Sequence, residues 1–302
     1  MSAEWALADP LTMLSHGFMR DAFLAGTGIA LASGVVGFFL VLRSQVFTGD
    51  ALSHVAFTGA LAALAAGIDL RIGLFVATVG VGLLLGVLGP KGRADDVVIG
   101  SVFAWVLGLG VLFLGIYTTS RSTGGGNAGV SVLFGSIFGL DTTSALTALG
   151  LGAFLALVVV MAARPLVFAT VDPAVASARG VPVRLLGIGF LAVVGATAGE
   201  ATQAVGALLL LGLLTAPAAT ALHLTDRPLV ALGASAGIAL VEVWVGLTVG
   251  YVAGSIPPSV AIVTLAAAAY AAVALATRDM TRWPTIADAR PNRETMARQS
   301  RS

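Results

Sequence analysis

The sharpest chemistry in the chain rests on two residues. Asp50 and His54 fall in Gly49-Asp50-Ala51-Leu52-Ser53-His54, four positions apart. That spacing puts both side chains on one face of a helix, and Thr58 continues the same face. A carboxylate and an imidazole offer a hard oxygen and a borderline nitrogen, a donor set that suits Mn2+, Fe2+ or Zn2+. The same residues also fit a structural role, with Asp50 capping a helix and His54 bonded to a backbone carbonyl. Two further carboxylates lie in apolar surroundings. Glu200, in Gly199-Glu200-Ala201-Thr202-Gln203, is expected at the outer junction of two apolar runs, either as an exposed turn residue or as an intake-side ligand. Glu242 stands near the middle of another run, where a carboxylate must be neutral, paired or facing a wet cavity. It is a candidate for an ion path. His223 reads as a solvated or capping residue at an interface.

A different signal comes from Val171-Asp172-Pro173 through Arg179-Gly180-Val181-Pro182. Asp172 can cap a helix, Pro173 suits its first position, and Gly180 and Pro182 end it. The pattern predicts a helix of about two turns. Such a helix could dock on a motor subunit or serve as an ordinary interfacial connector.

These residues are carried by long apolar runs. The chain has 302 residues, of which 58% are hydrophobic and 10% charged, and its mean hydropathy is +0.99. A soluble domain carries about 25% charged residues, so a soluble enzyme is excluded. The runs are about 20 residues long and do not alternate in polarity, which fits membrane-spanning helices and not a β-barrel. Spans are predicted over 18–42, 51–67, 72–88, 97–117, 143–163, 185–198, 201–222, 229–253 and 259–276. Residues 130–140 are apolar but too short to cross, and are expected to form a re-entrant or interfacial helix. The Gly-rich stretch 118–129 reads as a loop. The expected class is an all-α polytopic membrane protein with eight or nine transmembrane helices and one membrane domain over 18–277. A segment 1–17 precedes it, and an Arg-rich, disordered tail over 278–302 follows. With Glu4 and Asp9 and no basic n-region, the first residues do not read as a cleaved signal peptide.

Nine crossings with the C-terminus inside put thirteen of the sixteen Lys and Arg residues on the cytoplasmic side. The positive-inside rule favours that orientation. A net charge of +1 gives no reason to expect nucleic acid, and the absence of Cys excludes disulfides and thiolate metal sites. No P-loop and no H-E-x-x-H motif occurs, so the chain carries neither nucleotide hydrolysis nor metalloprotease chemistry of those kinds.

At this point a resemblance emerges. Val41-Leu42-Arg43 with Gly49-Asp50-Ala51-Leu52-Ser53-His54 resembles the signature of the permease subunits of bacterial zinc/manganese/iron ABC importers, the ABC-3 family. The Asp172 to Pro182 segment is similar to that family's coupling segment. Val205-Gly206-Ala207-Leu208-Leu209 through Ala216-Pro217-Ala218-Ala219-Thr220, and Pro257 through Val263, are similar to two more of its motifs. The chain departs from the family at Ser44, where a second basic residue is common, and at Ser136, where Asp or Asn is usual. Glu200 and Glu242 match no family motif. The resemblance implies a type II ABC importer-like fold and a homodimeric permease in the bacterial cytoplasmic membrane. It implies no permanently bound cofactor, a cytoplasmic ATP-binding subunit that Asp172, Pro173, Gly180 and Pro182 help to engage, and an extracytoplasmic metal-binding lipoprotein. Asp50 and His54 would then meet the transported ion. The rival readings are a permease for a metal chelate, such as a siderophore or cobalamin, and an ion-coupled secondary carrier using Glu242.

Overall fold

A computed structural model describes residues 13–89, 92–93, 95–120 and 132–277. Residues 1–12 of the predicted segment 1–17, and the predicted tail from 278, lie outside the described residues. The elements are α1 (Gly17–Leu42), α2 (Val46–Ala66), α3 (Leu70–Leu88), α4 (Asp96–Ser120), α5 (Thr142–Met161), α6 (Ala163–Val171), α7 (Pro173–Ala178), α8 (Val183–Val205), α9 (Leu210–Leu224), α10 (Pro228–Ala253) and α11 (Pro258–Thr277). Among the described residues there is no strand. Eight of these helices are long and apolar enough to cross a membrane, and α9, with 15 residues, is shorter.

Side-chain contacts give the direction of each helix. His54 of α2 meets Phe103 of α4, and further along Thr58 bonds to the Val106 carbonyl, so α2 and α4 run parallel. Asp21 of α1 meets Thr142 at the start of α5, and Gly28 meets Gly152, so α1 and α5 are parallel too. The chain therefore leaves α4 and begins α5 at the same end of the bundle. The apolar stretch before α5 does not cross, and the alternation expected from charge is kept. One end carries Arg43, Arg93, Arg164, Arg179, Arg184 and Arg227 and is called the basic end; Arg20 and Arg71 lie toward the opposite end.

Three local expectations are corrected. The break expected near Glu200 lies at Gly206, after a continuous α8; Gly206 has φ +91° and a Cβ there would strike the Leu133 carbonyl and Phe134. Residues 132–140 do not form the expected helix. They hold a turn of helix at 132–134 and a 3-10 turn at Ile137–Gly139, and they pack on the end of α8. The two irregular segments satisfy one another's backbone: Ala207 N–H donates to the Val132 carbonyl (3.1 Å), Leu208 to Leu133 (3.3 Å) and Ser136 to Gln203 (3.1 Å). Such mutual pairing is what irregular backbone inside a membrane bundle requires. Finally, α2 begins four residues before Asp50, so Asp50 is no N-cap.

The bundle is organised around α1, which has 78% of its most apolar window buried. In lipid, helices gain little from hydrophobic burial against each other and rely on close van der Waals contact and hydrogen bonds. The sequence supplies this through glycine. A Cβ on Gly28 would strike the α5 backbone at Ala148 and Leu149, and one on Gly37 would overlap the Leu214 carbonyl of α9. By contrast, α4 and α11 each have only 17% of their window buried.

Gly28→Leu tests this arrangement. Overpacking costs about 1–3 kcal/mol in ordinary cores, and here the obstacle is backbone. The variant is expected to lose most of its monodisperse peak in detergent size-exclusion chromatography, whereas Gly150→Leu on α5, where a Cβ meets open space, retains it.

Candidate metal path

The turn that launches α2 is held from several sides. Ser44 N–H bonds to the Val41 carbonyl and Gln45 N–H to Leu40, a Schellman closure with Ser44 at φ +55°. Arg43, only 5% exposed, donates from Nε to Gln45 Oε1 (2.9 Å) and lies 5.2 Å over the Phe190 ring. Burial, with a smaller contribution from the Arg93 charge, pushes the Arg43 guanidinium down to about 10, so it stays charged at neutral pH. This fixed corner sets the rotation of α2 and hence the direction of its side chains.

On α2, Asp50 and His54 are both half-buried and share a stripe with Phe47 and Phe57. They stand roughly 6 and 12 Å along the axis from Val46, toward the basic half of the bundle. Phe103 of α4 supports the imidazole edge-to-face, with centroids 5.1 Å apart. Among the described residues neither side chain makes a hydrogen bond, so the satisfied, purely structural arrangement is absent. Thr58 does not add a ligand, because it is 7% exposed and its hydroxyl is committed to the Val106 carbonyl at 3.1 Å. Among the described residues no cluster of three or more His, Asp, Glu or Cys side chains forms. The chain thus presents two metal-compatible donors and open coordination positions.

Glu200 is not an exposed turn residue. It is 3% exposed inside α8, and its Oε1 accepts from Arg71 Nη2 at 3.2 Å. The same nitrogen donates to the Ser144 carbonyl (3.2 Å), so Arg71 ties α3, α5 and α8 together. Arg71 falls between the predicted spans 51–67 and 72–88, and a partner 129 positions away leaves no local signal for its role. Glu242 is 5% exposed in α10, and neither of its carboxyl oxygens has a hydrogen-bond partner among the described residues. It precedes Val243, which packs where a Cβ on Gly26 would fall. Glu200 and Glu242 therefore join no metal-ligand cluster with Asp50 and His54. His223 lies exposed in the last turn of α9, 5.8 Å from the Tyr270 ring. The string Gly233-Ala234-Ser235-Ala236-Gly237 spells a nucleophile elbow, but it lies within α10 and Ser235 is buried, donating to the Gly34 carbonyl at 2.6 Å.

At the basic end the short helix forms as its sequence requires. Asp172 Oδ1 accepts from the N–H groups of Ala174 (3.1 Å) and Val175 (2.9 Å), Pro173 opens α7, and Gly180 at φ +81° turns the chain toward Pro182 and α8. A cavity of about 840 Å3 opens beside it, lined by Val87, Pro173, Ala174, Ser177, Val181 and Arg184 among others.

With this geometry in hand, the likenesses to known proteins are specific. A model of the ABC 3 transport family matches residues 15–277. The manganese transport system membrane protein MntC of Halalkalibacterium halodurans is 31% identical over 219 residues, which is 71% of this chain and 72% of that protein. The chelated iron transport system membrane protein YfeD of Yersinia pestis is 31% identical over 67% of each chain. Among solved structures, PsaBC from Streptococcus pneumoniae in complex with Fab is similar at a TM-score of 0.73 and 25% identity, covering 87% of this chain and 92% of that one.

The buried pair makes its own prediction. Arg71→Leu leaves Glu200 without its partner, and orphaning a buried charge costs about 3–5 kcal/mol, reduced here because Arg71 is 24% exposed. The single variant is expected to melt several degrees lower in detergent by differential scanning fluorimetry. Adding Glu200→Leu is expected to recover most of the loss.

Proposed function

The chain belongs to the ABC 3 transport family, and from that premise we propose that it is the permease subunit of an importer that carries a divalent transition metal ion into the cytoplasm by alternating access. The observation that carries the reading is the Asp50–His54 pair, two metal-compatible side chains on one face of a membrane helix with no hydrogen-bond or ion-pair partner among the described residues. An ion that must leave again needs a site of modest affinity, and two ligands per protomer suit that. A second copy related by two-fold symmetry would supply another Asp50 and His54. The weakly buried faces of α4 and α11 are the surfaces such a copy would cover; α4 already backs His54 through Phe103. The names of the relatives favour manganese or iron as cargo over zinc.

The motor is a separate ATP-binding subunit. Its docking place is α7 and the cavity beside it, at the end that the positive-inside rule assigns to the cytoplasm. An extracytoplasmic metal-binding protein would deliver the ion at the opposite end. Glu200, bound to Arg71, holds the helices there and is not a free ligand. Glu242 remains available as a path residue, since both its oxygens are unpaired.

Uptake of radioactive manganese and iron by cells lacking the native chain checks the proposal. Asp50→Ala and His54→Ala are each expected to lower uptake at least tenfold with expression and ATPase co-purification unchanged; uptake near wild type in both would refute the site. Docking has a separate test. Ser177 is exposed on α7 and lines the cavity, so Ser177→Trp is expected to insert normally in the membrane yet lose the ATPase subunit on co-purification. A tryptophan there is a cleaner probe than one at Gly180, whose positive φ strains any side chain.

A further inference from the structure

On the side of the bundle formed by α1, α5 and α10 is a second feature that the transport reading leaves unused. Two helices lean on α1 without closing on each other over their basic halves. α5 crosses α1 where Gly28 meets Gly152, and α10 crosses it where Gly34 meets Ala236. Beyond these crossings lies a groove of about 630 Å3 with α1 as its floor. Its lining is apolar apart from a single charged residue, and includes Val35, Ala156, Val160, Leu232, Gly233 and Arg164. The small side chains Ala156 and Gly233 keep it wide. Arg164, at the α5–α6 junction, is exposed. The ion pair recorded among the described residues is the distant Arg71–Glu200 pair, so Arg164 has no acidic partner there. Leu229 also lines the groove and follows Arg227 and Pro228 at the start of α10, whose first turn has no side-chain cap. The acidic residue nearest in sequence to Leu229 is Asp226, and the one nearest to Arg164 is Asp172, which caps α7.

We propose that this groove is a binding site for an anionic glycerophospholipid of the leaflet at the basic end, with an acyl chain along α1 and the headgroup phosphate on Arg164. An apolar slot that runs along a membrane helix is shaped for a hydrocarbon chain. A cation at its mouth, at the level where headgroups lie, selects a negative phosphate ester over a zwitterion, because the choline of the latter brings its own positive charge. The guanidinium fork binds phosphate in two-pronged geometry. The site needs only that the chain spans a membrane, so it stands apart from the identity of the cargo and from the α2–α4 face.

Native mass spectrometry of the full-length chain tests it, with the protein released from a mild detergent and titrated with phosphatidylglycerol or phosphatidylcholine of equal chain length. The wild type is expected to retain phosphatidylglycerol about tenfold better, the ratio expected of one charge-assisted contact. Arg164→Gln is expected to bring that retention down to the phosphatidylcholine level, and Arg164→Lys to keep part of the preference. Gly233→Leu fills the groove from a position where a Cβ meets nothing within 4 Å, so it should fold and lower retention of both lipids. Equal retention of the two lipids by the wild type overturns the proposal, as does unchanged phosphatidylglycerol binding in Arg164→Gln. A Gly233→Leu variant that shifts the monomer–dimer ratio and leaves lipid counts unaltered overturns it as well, by assigning the groove to a second copy.

Discussion

An ionisable side chain in hydrocarbon costs several kcal/mol unless something compensates it, and the few that this chain carries meet that constraint in different ways. Glu200 is compensated within the chain by Arg71, which also takes the Ser144 carbonyl, so its burial becomes a cross-brace between three helices. Asp50 and His54 have no compensating hydrogen bond or ion pair among the described residues. They stay half-buried on a face that α4 only partly covers. Glu242 is buried, and neither of its carboxyl oxygens has a hydrogen-bond partner among the described residues. The contrast separates a residue that holds the bundle together from residues that leave coordination or hydrogen-bonding capacity unspent, which is the property an ion path needs.

The same constraint governs the backbone. Continuous helices satisfy their own N–H and C=O groups, so long elements such as α1 and α10 can sit anywhere in the bundle. The two irregular stretches, 132–140 and 206–209, are paired with one another, and that pairing fixes where α8 ends and α9 begins. Their apposition allows a helix as short as α9 to start within the bundle. Glycine contacts then bring α5, α9 and α10 close to α1, and the resulting core is the rigid frame against which α2 and α4 are displayed.

Charge divides the two ends. Six arginines gather at one end of the bundle, and Arg43 among them is built into the corner from which α2 departs. A single corner thus links the basic end to the orientation of Asp50 and His54, with the 5.2 Å contact between Arg43 and Phe190 of α8 extending the link toward α7.

Apolar run length by itself determined the helical class and most helix bounds, because a run of about twenty apolar residues fits a helix that spans a bilayer; whether the 15-residue α9 is one of the crossings is not written in its length. Local chemistry was equally legible where it is local: Asp172, Pro173 and Gly180 specified α7, since a cap, an N1 proline and a positive-φ glycine act within a few residues. The spacing of Asp50 and His54 placed both on one face for the same reason. What the tertiary structure alone decided depends on distant partners. Glu200 read as a turn residue because nothing nearby in sequence announces Arg71, and Gly206 rather than Ala198 ends α8 because the loop at 132–136 packs against it. Thr58 shares the face of His54 by period, yet its hydroxyl is taken by the Val106 carbonyl. Periodicity defines which residues could meet a ligand; only packing decides which of them are already occupied.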